Sequence, residues 1–143
     1  MSARTPAGKL VSAFGDVERM STLYAADIEW SLTAASPFPR PMKGREAVIA
    51  FNREVWTQVY RADCTVEILD EVGDERLSAV RFIYQAHMLA AGRLYRNEYT
   101  LFARSGPEGI REVFEGFDSA FARDFARGDG GPANTTNHLE RSL

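Results

Sequence analysis

Apolar residues recur at two spacings along the chain, and the switches between them divide it into elements. Thr5-Pro6 predicts a first helix, because threonine accepts a hydrogen bond from a free N–H and proline tolerates the opening helical position; Leu10 and Phe14 mark its buried side. Gly15 ends that helix and Asp16 caps a second, in which Val17, Met20, Leu23 and Tyr24 recur at helical spacing. From Asp27 the pattern becomes alternation. Ile28, Trp30 and Leu32 face one way and Glu29, Ser31 and Thr33 the other, as in a half-buried strand. Pro37, Pro39 and Pro41 exclude regular hydrogen bonding across 34–43 and predict a constrained loop at the rim of a cavity. After Gly44 comes the longest helix, with Val48, Phe51, Val55, Trp56 and Val59 along its apolar stripe.

The second half alternates almost throughout. Strands are predicted at 64–72, 76–89, 93–104 and 110–117, separated by Gly73-Asp74, Ala91-Gly92 and Ser105-Gly106-Pro107-Glu108-Gly109, with a short helix at 119–125. Helix, helix, strand, helix and four hairpin-linked strands make an α+β fold, a mostly antiparallel sheet with helices on one face. Residues 1–127 read as a single domain, and 128–143, rich in Gly, Asn, Thr and charge, as a weakly tethered tail.

Alternation also assigns faces. Tyr95, Asn97, Tyr99 and Leu101 share the less charged side of one strand, and Val80, Phe82, Tyr84, Ala86 and Met88 the apolar side of the strand before it. On the last strand Val113, Glu115 and Phe117 lie together. If that side is internal, the Glu115 carboxyl sits among apolar neighbours, where desolvation raises its pKa and equips it as a general acid or base. The competing reading exposes Glu115 or pairs it with an arginine on the adjacent strand. Tyr84, Tyr95, Asn97 and Tyr99 suit hydrogen bonding to a ligand, and equally suit a core with satisfied polar tips. Trp30 and Phe117 supply apolar lining. His87 falls on the opposite side of its strand from Phe82 and Tyr84, at the surface or a subunit contact, and His138 lies in the tail.

Composition narrows the partners. With 143 residues, 45% hydrophobic and 26% charged, the chain is an ordinary globular one. A net charge of −3 offers no basic field for nucleic acid. Cys64 is the lone cysteine, so it forms no disulfide within the chain; it reads as a small core residue, and a reducing, cytoplasmic setting is expected. Neither a secretion leader nor a membrane-spanning apolar run is evident. No metal-ligand spacing, phosphate-binding loop or nucleophile elbow is found, so no cofactor and no metal are expected.

Gly15-Asp16, then Leu23-Tyr24-Ala25-Ala26-Asp27-Ile28-Glu29-Trp30, then Lys43-Gly44-Arg45-Glu46-Ala47-Val48 follow one another in a familiar order. Tyr95-Arg96-Asn97-Glu98-Tyr99 and Gly109-Ile110-Arg111-Glu112-Val113-Phe114-Glu115-Gly116-Phe117-Asp118 complete it. Together they resemble the nuclear transport factor 2-like superfamily, above all its SnoaL-like and phenazine-biosynthesis A/B members. The resemblance implies a cone-shaped, curved, mixed but mostly antiparallel sheet, with three main helices on one face, around a pocket for a hydrophobic small molecule. It also implies either a cofactor-independent isomerase, cyclase or lyase, or a non-catalytic ligand-binding or dimerisation module. Glu115 falls where phenazine A/B proteins and limonene epoxide hydrolase carry an acid on the same strand. Trp30 and Leu32 stand where ketosteroid isomerase has its first-strand base, and Phe82 and Tyr84 where limonene epoxide hydrolase has its arginine and second acid. Both of those familiar reactions are therefore disfavoured. Arg81, Ile83, Gln85, His87 and Leu89, on the outer side of their strand, suit a homodimer interface.

Overall fold

The computed structural model describes residues 3–33 and 41–128; most of the proline-rich loop and the segment 129–143 lie outside the described residues. The helical start is as the caps predict. Thr5 caps α1 (Pro6–Ser12) by accepting from the Gly8 N–H, and Asp16 caps α2 (Val17–Ser21) by accepting from the Arg19 N–H. Between them Gly15 adopts φ +92°, where a Cβ would collide with the Ala62 carbonyl oxygen. Only glycine fits that turn.

The sheet is built from β1 (Tyr24–Leu32), β2 (Met42–Lys43), β3 (Thr65–Gly73), β4 (Leu77–Met88), β5 (Arg93–Gly106) and β6 (Gly109–Phe117), with α3 (Arg45–Glu54) after β2 and α4 (Ser119–Ala126) after β6. Two elements differ from the sequence pattern. Tyr24 opens β1 instead of closing α2, because the Leu23 carbonyl is taken by the Ile110 N–H at 2.8 Å and Tyr24 registers with Ile110; a bulge before Glu29 then restores alternation. Tertiary pairing here overrides helical spacing. Met42 and Lys43, within the segment read as loop, form a short strand against Trp30 and Glu29.

Strand order is β2-β1-β6-β5-β4-β3, and the sheet is curled but unclosed. Every neighbouring pair is antiparallel except β1 with β6. The first long strand thus lies beside the last, and both feed the same core. Leu10 and Val11 of α1, Val48 and Phe51 of α3, Ile28 and Trp30 of β1, Phe82 of β4, Leu101 of β5 and Val113 of β6 belong to one buried cluster. Complete burial of such a side chain is worth roughly 2 kcal/mol. α1 packs on β3, β4 and β5, while α3 packs on β1 and α2. Phe125 anchors α4, its ring edge-on to Tyr95 at 5.4 Å and covered by the Arg93 guanidinium at 3.8 Å.

Candidate functional site

α3 does not end cleanly. Val55–Val59 form a π-helical turn in which the Tyr60 N–H reaches back to the Val55 carbonyl at 2.8 Å. Such turns commonly occur at functional sites. Asn52, Val55, Trp56, Val59 and Tyr60 line one side of a cavity whose other walls are Trp30 and Leu32 of β1, Tyr84 of β4, Tyr99 of β5, Glu115 and Phe117 of β6, and Phe14. Its unfilled space is about 500 Å³ counted out to the open mouth, of which about 60 Å³ admits the centre of a water molecule. The inner part therefore suits a small ring or head group.

Glu115 is 8% exposed and faces this space. Its register neighbours are Leu32 on β1 and Leu101 on β5, both apolar. Among the described residues no basic group forms an ion pair with it. Burial pushes the carboxyl up to about 7. The Trp30 indole beside it tempers the rise, although its N–H lacks full hydrogen-bond geometry.

Tyr84 and Tyr99 stand on the wall but differ in their hydroxyl partners. Tyr84 accepts from the Trp56 indole N–H at 2.8 Å. Tyr99 belongs to a chain of hydroxyls: Asn97 Nδ2 donates to the Tyr95 hydroxyl at 2.7 Å, the Tyr95 and Tyr99 hydroxyls meet at 2.8 Å, and those of Tyr99 and Tyr60 at 3.5 Å. The Asn97 amide orientation is set from outside, since its Oδ1 accepts the Glu98 N–H at 2.9 Å and its Nδ2 also donates to the Asp118 carbonyl. Tyr95 and Asn97, both expected to touch ligand, are fully buried and are not among the lining residues; Tyr95 backs the wall, bonded to Tyr99 and stacked on Tyr60 at 5.5 Å. Burial raises the pKa of every tyrosine in the cluster, Tyr95 to about 12, so all remain protonated donors at neutral pH. Phe117 stacks on Tyr99 at 4.8 Å and Phe82 stacks on the same ring at 5.5 Å.

Sequence reading missed Asn52 and Tyr60 as wall residues. The signal existed for Asn52, four residues after Val48 on the apolar stripe, where an amide interrupts greasy positions. Cys64 is half-buried, donates to the Phe14 carbonyl at 3.2 Å, and burial pushes its thiol up, which disfavours the nucleophilic thiolate. His87 lies on the outer side of β4 and does not line the cavity. Among the described residues no three His, Cys, Asp or Glu side chains gather as a metal site, and no helix is long and apolar enough to cross a membrane.

The outer side of β4 is the face expected to pair with a second copy. Ile83 is only 4% exposed, and Arg81 is engaged by Asp70 at 2.7 Å and Glu98 at 3.2 Å. Leu89 is 43% exposed, and a further apolar row crosses four strands in register: Val72, Ala79, Phe102 and Phe114. Phe102 and Phe114 are each 47% exposed.

No curated protein sequence matches the chain. Solved structures do. PrhC from Penicillium brasilianum is 20% identical with a TM-score of 0.65, the alignment covering 81% of this chain and 82% of that one. A nuclear transport factor 2-like protein from Burkholderia pseudomallei is 20% identical with a TM-score of 0.67, covering 78% and 87%. A protein with a ketosteroid isomerase-like fold from Catenulispora acidiphila, solved with trimethylamine, is 18% identical with a TM-score of 0.62, covering 75% and 83%. At these identities the likeness establishes the fold alone. The model of the SnoaL-like domain matches residues 11–105, about two thirds of the sequence, and with the curled sheet already described, the chain belongs to the SnoaL-like family.

Proposed function

We propose that this protein is a cofactor-independent enzyme that moves a proton on a hydrophobic small molecule, as an isomerase, cyclase or lyase, with Glu115 as the acid–base group. The observation that carries the reading is the buried carboxyl between Leu32 and Leu101, facing a cavity and lacking an ion-pair partner among the described residues. A carboxyl held at about 7 is present in both protonation states at neutral pH, which suits a group that must first take and then return a proton. In an isomerisation of a β,γ-unsaturated carbonyl compound, the Glu115 carboxylate removes a proton from the carbon between the carbonyl and the double bond, leaving a dienolate, and returns it to the γ carbon, so that the double bond moves into conjugation. Atoms and charge balance without a further reagent. Trp30, Tyr84, Tyr99 and Phe117 are the proposed ligand contacts, with Tyr95 and Asn97 orienting the Tyr99 hydroxyl. A cytoplasmic location agrees with the lone cysteine.

Deuterium exchange tests this without knowledge of the natural substrate. Small ketones incubated with the protein in deuterated buffer should lose α-hydrogen NMR signal faster than in buffer alone, with an apparent midpoint near the Glu115 value. Glu115→Gln should remove that acceleration while the fold persists. Acceleration that survives the substitution removes Glu115 from the role.

A second reading is favoured by the row Val72, Ala79, Phe102 and Phe114. We propose that it pairs with the same row of a second copy to form a homodimer. Two aromatic side chains, each half exposed and adjacent in register, are the kind of anchor that protein interfaces bury. Such a dimer is compatible with an enzyme or with a non-catalytic binding module.

A further inference from the structure

We propose that the Asn52 side-chain N–H is the donor that receives a carbonyl oxygen of the ligand, so that the cavity selects small apolar ketones and related carbonyl compounds. The inference deepens the acid–base reading of the same cavity and rests on it for the chemistry after binding.

Asn52 is completely buried on the inner side of α3 and lines the cavity. One end of its amide is committed, because the Tyr24 hydroxyl donates to Oδ1 at 2.5 Å. Burial, with the Glu115 charge as a lesser cause, pushes the Tyr24 pKa well up, so the hydroxyl keeps its proton and requires that acceptor. The opposite end, Nδ2, is buried with no hydrogen-bond partner among the described residues. Buried donors are paired in nearly all native proteins, and Asn52 lines the hollow, so its unpaired N–H is the group that an acceptor on a ligand satisfies. Donation by Tyr24 polarises the amide and strengthens the N–H as a donor.

The chemistry around Asn52 selects the acceptor. The Tyr84 oxygen accepts the Trp56 indole N–H, and Phe14, Leu32, Phe51, Val55 and Val59 offer only apolar surface. A ligand with one oxygen acceptor on a hydrocarbon frame satisfies both Nδ2 and these walls. A carbonyl does more than an ether, because negative charge grows on its oxygen when Glu115 withdraws a proton from the neighbouring carbon. A fixed donor aimed at that oxygen stabilises the charge as it develops.

Cyclohexanone and methylenecyclohexane share a shape and differ in the oxygen, which makes them a discriminating pair of probes. With the full-length protein, cyclohexanone should shift the Asn52 side-chain amide resonances, and methylenecyclohexane should leave them in place. Asn52→Leu should weaken cyclohexanone about tenfold, the loss of one buried hydrogen bond, while methylenecyclohexane changes less than about twofold. Should Asn52→Leu unfold because Tyr24 loses its acceptor, the double variant Asn52→Leu/Tyr24→Phe removes both polar groups and carries the same expectation. Unmoved Asn52 amide resonances in the presence of cyclohexanone, or equal weakening of both probes, overturn the proposal. Glu115→Gln should retain the preference for the ketone. Lost deuterium exchange with that preference intact therefore counts against the acid–base reading alone, and exchange without any Asn52 dependence counts against Asn52 alone.

Discussion

Leu101 stands directly across the β5–β6 pairing from Glu115, where an arginine would have neutralised the carboxylate. The apolar neighbour makes ionisation costly and gives stability a pH dependence of definite sign. A carboxyl raised from 4.5 to about 7 binds its proton more tightly folded than unfolded. Stability from this group is complete below the unfolded value of 4.5, declines as pH rises, and is lost above about 7. The span is worth roughly 3 kcal/mol. Glu115→Gln should therefore stabilise the protein by up to about that amount at pH 8 and by little near pH 4, read from urea unfolding at both. An equal gain at the two pH values would place the carboxyl in water.

Tyr95→Phe is expected to keep the fold and cost about 1–3 kcal/mol, since the Asn97 amide and the Tyr99 hydroxyl both lose a buried partner. The shift in urea midpoint measures it. A cost no greater than that of a surface substitution would show that the hydroxyls are not coupled.

Why was the acid legible and the amide not? Glu115 sits on a strand, where alternation alone fixes the side on which a residue points, and Val113 and Phe117 flank it. Tyr95 and Asn97 obeyed the same rule and do face inward. Alternation gives the side but not the depth, so it could not tell a wall residue from the layer behind it. The helical stripe places Asn52 on the inner side of α3, but its bond to Tyr24 depends on Tyr24 belonging to β1, a contact distant in sequence. The parallel pairing of β1 with β6 was hidden for the same reason, as no local pattern records it.

Gly15→Ala should destabilise the protein by at least about 2 kcal/mol, because a left-handed turn pressed against the Ala62 carbonyl leaves no room for a methyl group. Thermal unfolding checks this. An unchanged melting temperature would mean that the turn before α2 yields without strain.

Phe102→Lys combined with Phe114→Lys should leave thermal stability of the subunit close to unchanged and yield monomers in sedimentation, where the parent chain is expected to give dimers. Both rings lie on the outer side and half in water, so the folded chain loses little by their removal. A parent chain that sediments as a monomer at micromolar concentration would rule the pairing out.

The adjacency of β1 and β6 also bears on how the protein is made. Trp30 and Leu32 are synthesised early and Glu115 near the end, yet they share one wall. A ribosome-bound fragment ending before β6 has the β3–β4–β5 hairpins but lacks Glu115, Phe117 and the cavity wall they form. The cavity wall is thus completed late, when the trailing strand slots in beside the leading one.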